Sequence, residues 1–218
     1  MKIPQWQPGD PNWKIFAFIA ETFGLDVFIE TGSGHGRTAF KALDIFKEVY
    51  TIEWSESLYE ETKKRLQNTR ARCYHGKSPE QLRIILPDIL SPVFYWLDAH
   101  WSQGPTAGEN DQCPLLRELE VINNRDMNYD FIVIDDIHTF FSPAALKPPM
   151  DYKQFPGIPD ILRLLNRKER YTVILTSWRC MNHGQPGGIV MPEDMMISVP
   201  LYAKDQLNRF LEKFNLEN

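Results

Sequence analysis

The sequence predicts an α/β sandwich, a doubly wound and mostly parallel sheet covered by helices on both faces. Short apolar runs alternate with segments of helical periodicity, and the runs are nearly continuous in apolar residues, as strands buried on both faces are. The first run, Val27-Phe28-Ile29-Glu30, passes into Thr31-Gly32-Ser33-Gly34-His35-Gly36-Arg37-Thr38, a glycine-rich turn that opens a helix. Right-handed crossovers between parallel strands then put helices on both sides. A length of 218 residues suits one domain over 1–218 with a large covered sheet.

The elements follow in order. Asp10-Pro11 reads as a helix start, an acid at the N-cap and proline at the first helical position. Trp13, Phe16, Ala17, Ala20 and Phe23 recur at helical spacing over 11–23, a core-facing stripe, and Gly24 stops the helix. The first strand is followed by a helix across 37–46 and by a second strand ending at Glu53-Trp54. Ser55 caps a helix carrying Leu58 and Leu66. Residues 72–75 form a short third strand, and Ser78-Pro79 opens a helix running to Leu86. Strand four covers 92–98, a helix starts at Pro114, and strand five covers 130–135. A helix at 158–167, strands at 171–176 and 195–199, and an amphipathic helix at 203–214 complete the chain.

Strand ends carry the chemistry in such sheets. The glycine turn lets a ligand approach the backbone, and the following helix aims N–H groups at it. Glu53 lies 23 residues after Glu30, the placement of an acid that binds ribose hydroxyls. Trp54 serves either as an adenine contact or as a strand-end anchor. The glycines stand at 32, 34 and 36, which is not the Gly-x-Gly-x-x-Gly spacing of dinucleotide binders.

The pattern Glu30-x-Gly32-x-Gly34-x-Gly36 resembles motif I of the class I S-adenosylmethionine-dependent methyltransferases. That resemblance implies a Rossmann-like, seven-stranded sheet whose last strand runs antiparallel. It also implies S-adenosylmethionine as cofactor, held by Glu30, Thr31, Gly32, Ser33, Gly34, Gly36, Glu53, Trp54 and Asp98, with Lys77 and Ser78 at the adenine.

Strand four runs into Asp98-Ala99-His100-Trp101 and strand five into Asp135-Asp136-Ile137-His138. Carboxylates on neighbouring strand ends repel unless a cation lies between them. The cofactor's sulfonium or amino group is one candidate, and Mg²⁺ is the other. This half is similar to the metal-dependent O-methyltransferases of the catechol and sugar groups. The resemblance implies Asp98, Asp135 and Asp136 as metal ligands. The stretch 93–101 is similar to the catechol enzymes' Val-Phe-Leu-Asp-His-Trp, with Ala99 inserted. Their base lysine has no match, since Ser102 and Gln103 follow. The sugar enzymes' base slot is occupied by His100. Asp98 and His100 are therefore the catalytic candidates, His100 as general base. His138 is a secondary ligand or base candidate.

The loops at 102–113 and 139–159 are expected on the acceptor side, the second, proline-rich one as a lid. Its aromatics either hold a ring or pack the lid onto the body. The expected partner is a small hydroxylated acceptor: a sugar, a natural product or a catechol-like molecule. Self-association is compatible with the sequence but not signalled by it. Metal-free N- or O-methylation, a nicotinamide-dependent oxidoreductase and a non-catalytic cofactor-binding module are the alternatives.

A net charge of −5 disfavours a general nucleic-acid binder. Cys73, Cys113 and Cys180 are odd in number and widely spaced, which suits reduced thiols. The N-terminus, Met1-Lys2-Ile3-Pro4-Gln5-Trp6, has no apolar signal core, and no apolar stretch approaches the ~20 residues of a membrane span. A soluble, cytoplasmic protein is the expectation, with no membrane partner.

Overall fold

The computed structural model describes residues 11–125, 128–180 and 188–217. The expected N-cap at Asp10 and the aromatic Trp6 lie outside them. Seven strands are present: β1 (Val27–Thr31), β2 (Glu48–Glu53), β3 (Ala71–His75), β4 (Val93–Leu97), β5 (Phe131–Ile134), β6 (Arg170–Cys180) and β7 (Gly188–Pro200). The helices are α1 (Pro11–Phe23), α2 (Arg37–Ala42), α3 (Glu56–Leu66), α4 (Ser78–Ile85), α5 (Leu115–Asn123), α6 (His138–Phe141), α7 (Ile158–Leu165) and α8 (Lys204–Glu217). They build one sheet in the order β3-β2-β1-β4-β5-β7-β6. The first five strands are parallel, and β7 runs antiparallel to both β5 and β6.

Period-2 alternation divides the core between the two faces. Phe28, Phe94 and Phe131 are aligned across β1, β4 and β5, all buried on one face. Phe16 of α1 meets Phe94 at 5.0 Å, and Phe46 meets Phe28 at 5.1 Å. The same face takes Leu207 and Leu211 of α8. The other face takes Ile29, Tyr95, Leu97 and Ile134, covered by α4, α5 and α7. At the end of the sheet away from the strand tips, Arg125 reaches the buried Asp130 at 3.0 Å and the Tyr95 hydroxyl at 2.9 Å. Asp130 in turn accepts the Val93 N–H at 2.9 Å, tying β4 to the start of β5.

Several boundaries differ from the sequence expectation. α2 ends at Ala42, not 46, because the chain turns there and carries Phe46 under the sheet, its N–H donating to Ala42 O. α7 ends at Leu165, and α8 runs on to Glu217. β6 and β7 are much longer than the apolar runs at 171–176 and 195–199. Their ladder continues to the pair Cys180–Gly188, with a register shift between Leu175 and Ser177. Backbone hydrogen bonds extend a two-stranded ladder whatever the side-chain pattern. Cys73 and Cys113 are free thiols, and the Cys180 side chain lies outside the described residues. Among the described residues no helix is long and apolar enough to cross a membrane.

Candidate active site

The glycine turn is laced to the sheet at the carboxyl end of β1. The N–H groups of Gly32 and Ser33 both donate to Ile52 O, at 2.9 and 3.1 Å. At Gly32, with φ +80°, a Cβ would stand 2.2 Å from Asp98 O, so no side chain fits between β1 and β4. At Gly34, with φ +51°, a Cβ would meet nothing within 4 Å. Its N–H donates to Glu53 Oε2 at 2.8 Å, while Ser55 N–H donates to Glu53 Oε1 at 2.8 Å. Burial raises the Glu53 pKa, against these backbone hydrogen bonds. Gly36 serves packing: a Cβ there would lie 2.8 Å from Thr62 Cγ2 of α3.

Three expected cofactor residues turn inward instead. Glu30 is buried and accepts a short hydrogen bond from Thr51 Oγ1, whose hydroxyl also meets Ser33 Oγ. Desolvation pushes the Glu30 carboxyl up to about 8. Thr31 is fully buried beneath the turn. Glu30, Thr31 and Ser33 thus support the turn from below. Glu30 and Thr31 point to opposite faces of β1, and both are buried because both faces are covered.

A cavity of about 150 Å³ lies above the turn, lined by Gly32, Gly34, Glu53, Trp54, Lys77, Ser78, Asp98 and His100. Sequence reasoning placed all eight here. It missed Arg117, and it expected Asp111 only as an acid of the acceptor-side loop; both line the same space. Asp111 bonds Lys77 at 2.9 Å and Arg117 Nη1 at 3.1 Å. Burial pushes Asp111 up, but the hydrogen bonds and charges of Arg117 and Lys77 outweigh it and hold the carboxyl below its usual range. Lys77 Nζ sits 4.5 Å from the Trp54 ring centroid, covering that face of the indole. The 102–113 loop is drawn over the cavity by Ser55 Oγ, which donates to Pro105 O at 2.7 Å. Gln112, also unforeseen, is buried and joins this loop to the next: its N–H donates to Gln154 Oε1 at 2.9 Å, and its Oε1 accepts Asp151 N–H at 2.7 Å. Phe140 and Phe155 pack into the core, whereas Phe141 and Tyr152 are exposed. His35 pairs with Glu61 at 3.0 Å, and His75 reaches Trp54 O at 3.1 Å; neither lines the cavity.

The tips of β4 and β5, with the middle of β7, bring carboxylates and imidazoles together. Asp98, His100 and Asp136 hold donor atoms within 4.8 Å of one another. His100 Nδ1 lies 3.6 Å from Asp98 Oδ1, and its Nε2 lies 3.1 Å from Asp136 Oδ2. Asp135 is not in this set; it lines a smaller pocket behind His100, beside Glu118 and Phe140. Neighbouring residues at a strand end point to different sides, and Asp136, at φ +54°, is turned toward His100. Burial raises the carboxyl of Glu118 to about 7. His138 Nδ1 lies 2.5 Å from Asp194 Oδ1, a carboxylate fully buried on β7. Asp194 was not foreseen. Its sequence signal is one acid directly before the run Met195-Met196-Ile197.

No protein-family model matches the chain, and no curated protein matches it. Solved structures do. The O-methyltransferase TomG from Streptomyces achromogenes, in complex with S-adenosylmethionine, superposes with a TM-score of 0.59 at 14% identity, over 91% of this chain and 83% of that one. A candidate O-methyltransferase from Klebsiella pneumoniae gives 0.60 at 11% identity, over 89% and 82%. A candidate caffeoyl-CoA O-methyltransferase from Staphylococcus aureus gives 0.58 at 12%, over 87% and 82%. The fold is that of the class I methyltransferases. The reversed β7, expected from the motif I resemblance, is present.

Proposed function

We propose that this protein is an S-adenosylmethionine-dependent methyltransferase that methylates a hydroxyl of a small molecule with the help of a divalent cation. One observation carries the reading: the bare Gly34 backbone and the Glu53 carboxylate face one cavity at the switch point of a methyltransferase-type sheet. The open space at Gly34 fits a ligand pressed against the backbone. Glu53 is oriented by two backbone N–H groups and keeps lone pairs for a ribose diol. Ser78 and Lys77 line the adenine end, with Trp54 beside them on the cavity wall.

The donor supplies an electrophilic methyl group, so the protein's task is to hold an acceptor oxygen in line with it. Asp98, His100 and Asp136 fit a cation with two carboxylates and one imidazole. Mg²⁺ favours oxygen ligands, and the imidazole extends the fit to Mn²⁺, Fe²⁺ and Co²⁺. Held by these three residues, a cation would supply Lewis acidity toward an acceptor hydroxyl. Asp135 has a lesser part in this reading than the sequence assigned it. Both His100 ring nitrogens face carboxylates, so base duty requires one of them to be released toward the acceptor. Phe155, 6.4 Å from the His100 ring, supports our assignment of the 139–159 segment as a lid on the acceptor side.

The nicotinamide reading loses ground to the reversed β7 and to the 32, 34, 36 spacing of the glycines. Calorimetry with S-adenosylmethionine on the wild type and on Glu53→Ala tests the proposal: binding in the micromolar range is expected, weakened at least ~10-fold by the substitution. No donor binding to the wild type overturns it. Methyl transfer to hydroxylated acceptors that persists after chelation would leave the methyltransferase reading and remove the cation.

A further inference from the structure

The contacts at the strand tips do not stop at His100. Asp136 presents its two oxygens to two different imidazoles: Oδ2 lies 3.1 Å from His100, and Oδ1 lies 3.9 Å from His138 Nδ1. His138 continues to Asp194 at 2.5 Å. The result is two sets of donors, Asp98/His100/Asp136 and Asp136/His138/Asp194, each with all its atoms within 4.8 Å of one another. They share one carboxylate.

We propose that the chain holds a second divalent cation, bound by Asp136, His138 and Asp194, with Asp136 bridging it to the first. The inference rests on the cation part of the reading above, because Asp136 serves both ions. Adjacent ligands about an ion with ~2.1 Å bonds lie roughly 3.0–3.4 Å apart in octahedral or tetrahedral geometry. The 2.5 and 3.9 Å separations in the second set bracket that value, so small side-chain shifts seat an ion. Two carboxylate oxygens and an imidazole nitrogen suit a borderline first-row ion such as Mn²⁺, Co²⁺ or Zn²⁺ better than Ca²⁺. A carboxylate shared between two ions is also how paired sites about 3.5–4 Å apart are built.

The topology supplies each part. Asp136 stands two residues past the end of β5, His138 opens α6 two residues later, and Asp194 comes from β7, the strand that the fold reverses next to β5. Ile137 N–H donates to Asp194 O at 2.9 Å, which pins β7 beside the Asp136–His138 segment. Asp194 is fully buried while the His138 side chain is 44% exposed, so the set has a fixed inner ligand and an accessible outer one. The second ion would lie toward α6, on the acceptor side. Paired ions there suit an acceptor with two neighbouring oxygens, such as a vicinal diol.

Metal-stripped protein titrated with Co²⁺, followed by calorimetry and by visible absorption, tests this. The wild type should take up two equivalents. His138→Ala alters a half-exposed side chain and should take up one, with affinity at the second site lowered at least ~10-fold and S-adenosylmethionine affinity retained. Asp194→Asn should do the same if it folds, and His138→Ala keeps the test valid if it does not. One equivalent in both wild type and His138→Ala overturns the second site and leaves the first. No uptake by the wild type overturns both cation sites, while donor binding, measured separately, still judges the methyltransferase reading.

Discussion

Replacing Gly34 and Gly32 by alanine, one at a time, should separate ligand binding from folding. Both residues have positive φ, +51° and +80°, and alanine in the left-handed region costs about 1–2 kcal/mol, partly offset by a less flexible unfolded chain. At Gly34 that is the whole cost, because the added methyl meets nothing within 4 Å. A net loss of about 1 kcal/mol should lower Tm by about 2–4 °C in a chain of this size. At Gly32 the same methyl would stand 2.2 Å from Asp98 O and 2.8 Å from Ala99 Cα. Those atoms are backbone, held by the Asp98 N–H bond to Thr31 O, so relief requires β1 and β4 to part. A loss above about 4 kcal/mol is expected, at the diagnostic end of single substitutions. Donor binding should behave differently. On the proposed function, the methyl at Gly34 would occupy the space the donor uses to approach the backbone, so Gly34→Ala should bind S-adenosylmethionine at least ~10-fold more weakly, about 1.4 kcal/mol. Urea unfolding and calorimetry on the same preparations read both quantities. Wild-type donor affinity in folded Gly34→Ala would refute the cradle, and equal destabilisation by the two substitutions would refute the close approach of β1 and β4.

The buried Glu30 should make stability pH-dependent. Its folded pKa, about 8, lies above its ordinary value of 4.5, so its stabilising contribution is complete below about pH 4.5 and is lost as pH rises through 8. Glu30→Gln should flatten the fall in urea midpoint between pH 5 and 9; an unchanged slope would show that Glu30 is not the group responsible. Phe94→Ala removes the centre of the aromatic row on one face and should cost about 3–5 kcal/mol by chemical denaturation. Arg125→Met leaves Asp130 buried without its guanidinium and should cost about 3–5 kcal/mol at pH 7, less at pH 4 where the carboxyl is more easily protonated. A loss that does not shrink at low pH would mean that packing, not charge, sets the cost.

Much of the fold and half of the site are readable along the chain, because they depend on near neighbours. Apolar runs locate strands, and Gly24 stops α1 by itself, through φ +66° and the Leu25 N–H bond to Ala20 O. Gly32, Gly34 and Glu53 announce the cradle because a strand tip, a tight turn and the next strand tip meet wherever two parallel neighbours follow one another. Arg117, Gln112 and the pairing of Asp111 with Lys77 are not legible because they act across the fold, as Gln112 does to Gln154. No local pattern marks a loop residue that will fold back 34 positions onto Lys77. Side-chain direction was the other blind spot. Glu30 and Ser33 belong to the motif by sequence, yet they point beneath the turn to Thr51.

By itself, the sequence determined the alternation of buried strands and helices, the bare turn after β1, and the acids at the strand tips, since each follows from local periodicity and backbone freedom. Only the tertiary structure decided which acids meet. It took Asp136 and not Asp135 for the set with Asp98 and His100, and it brought Asp194 to His138 by reversing β7. Pairing between strands distant in sequence is set by how two-faced sheets bury their apolar surface, and that register is written nowhere in the order of neighbouring residues.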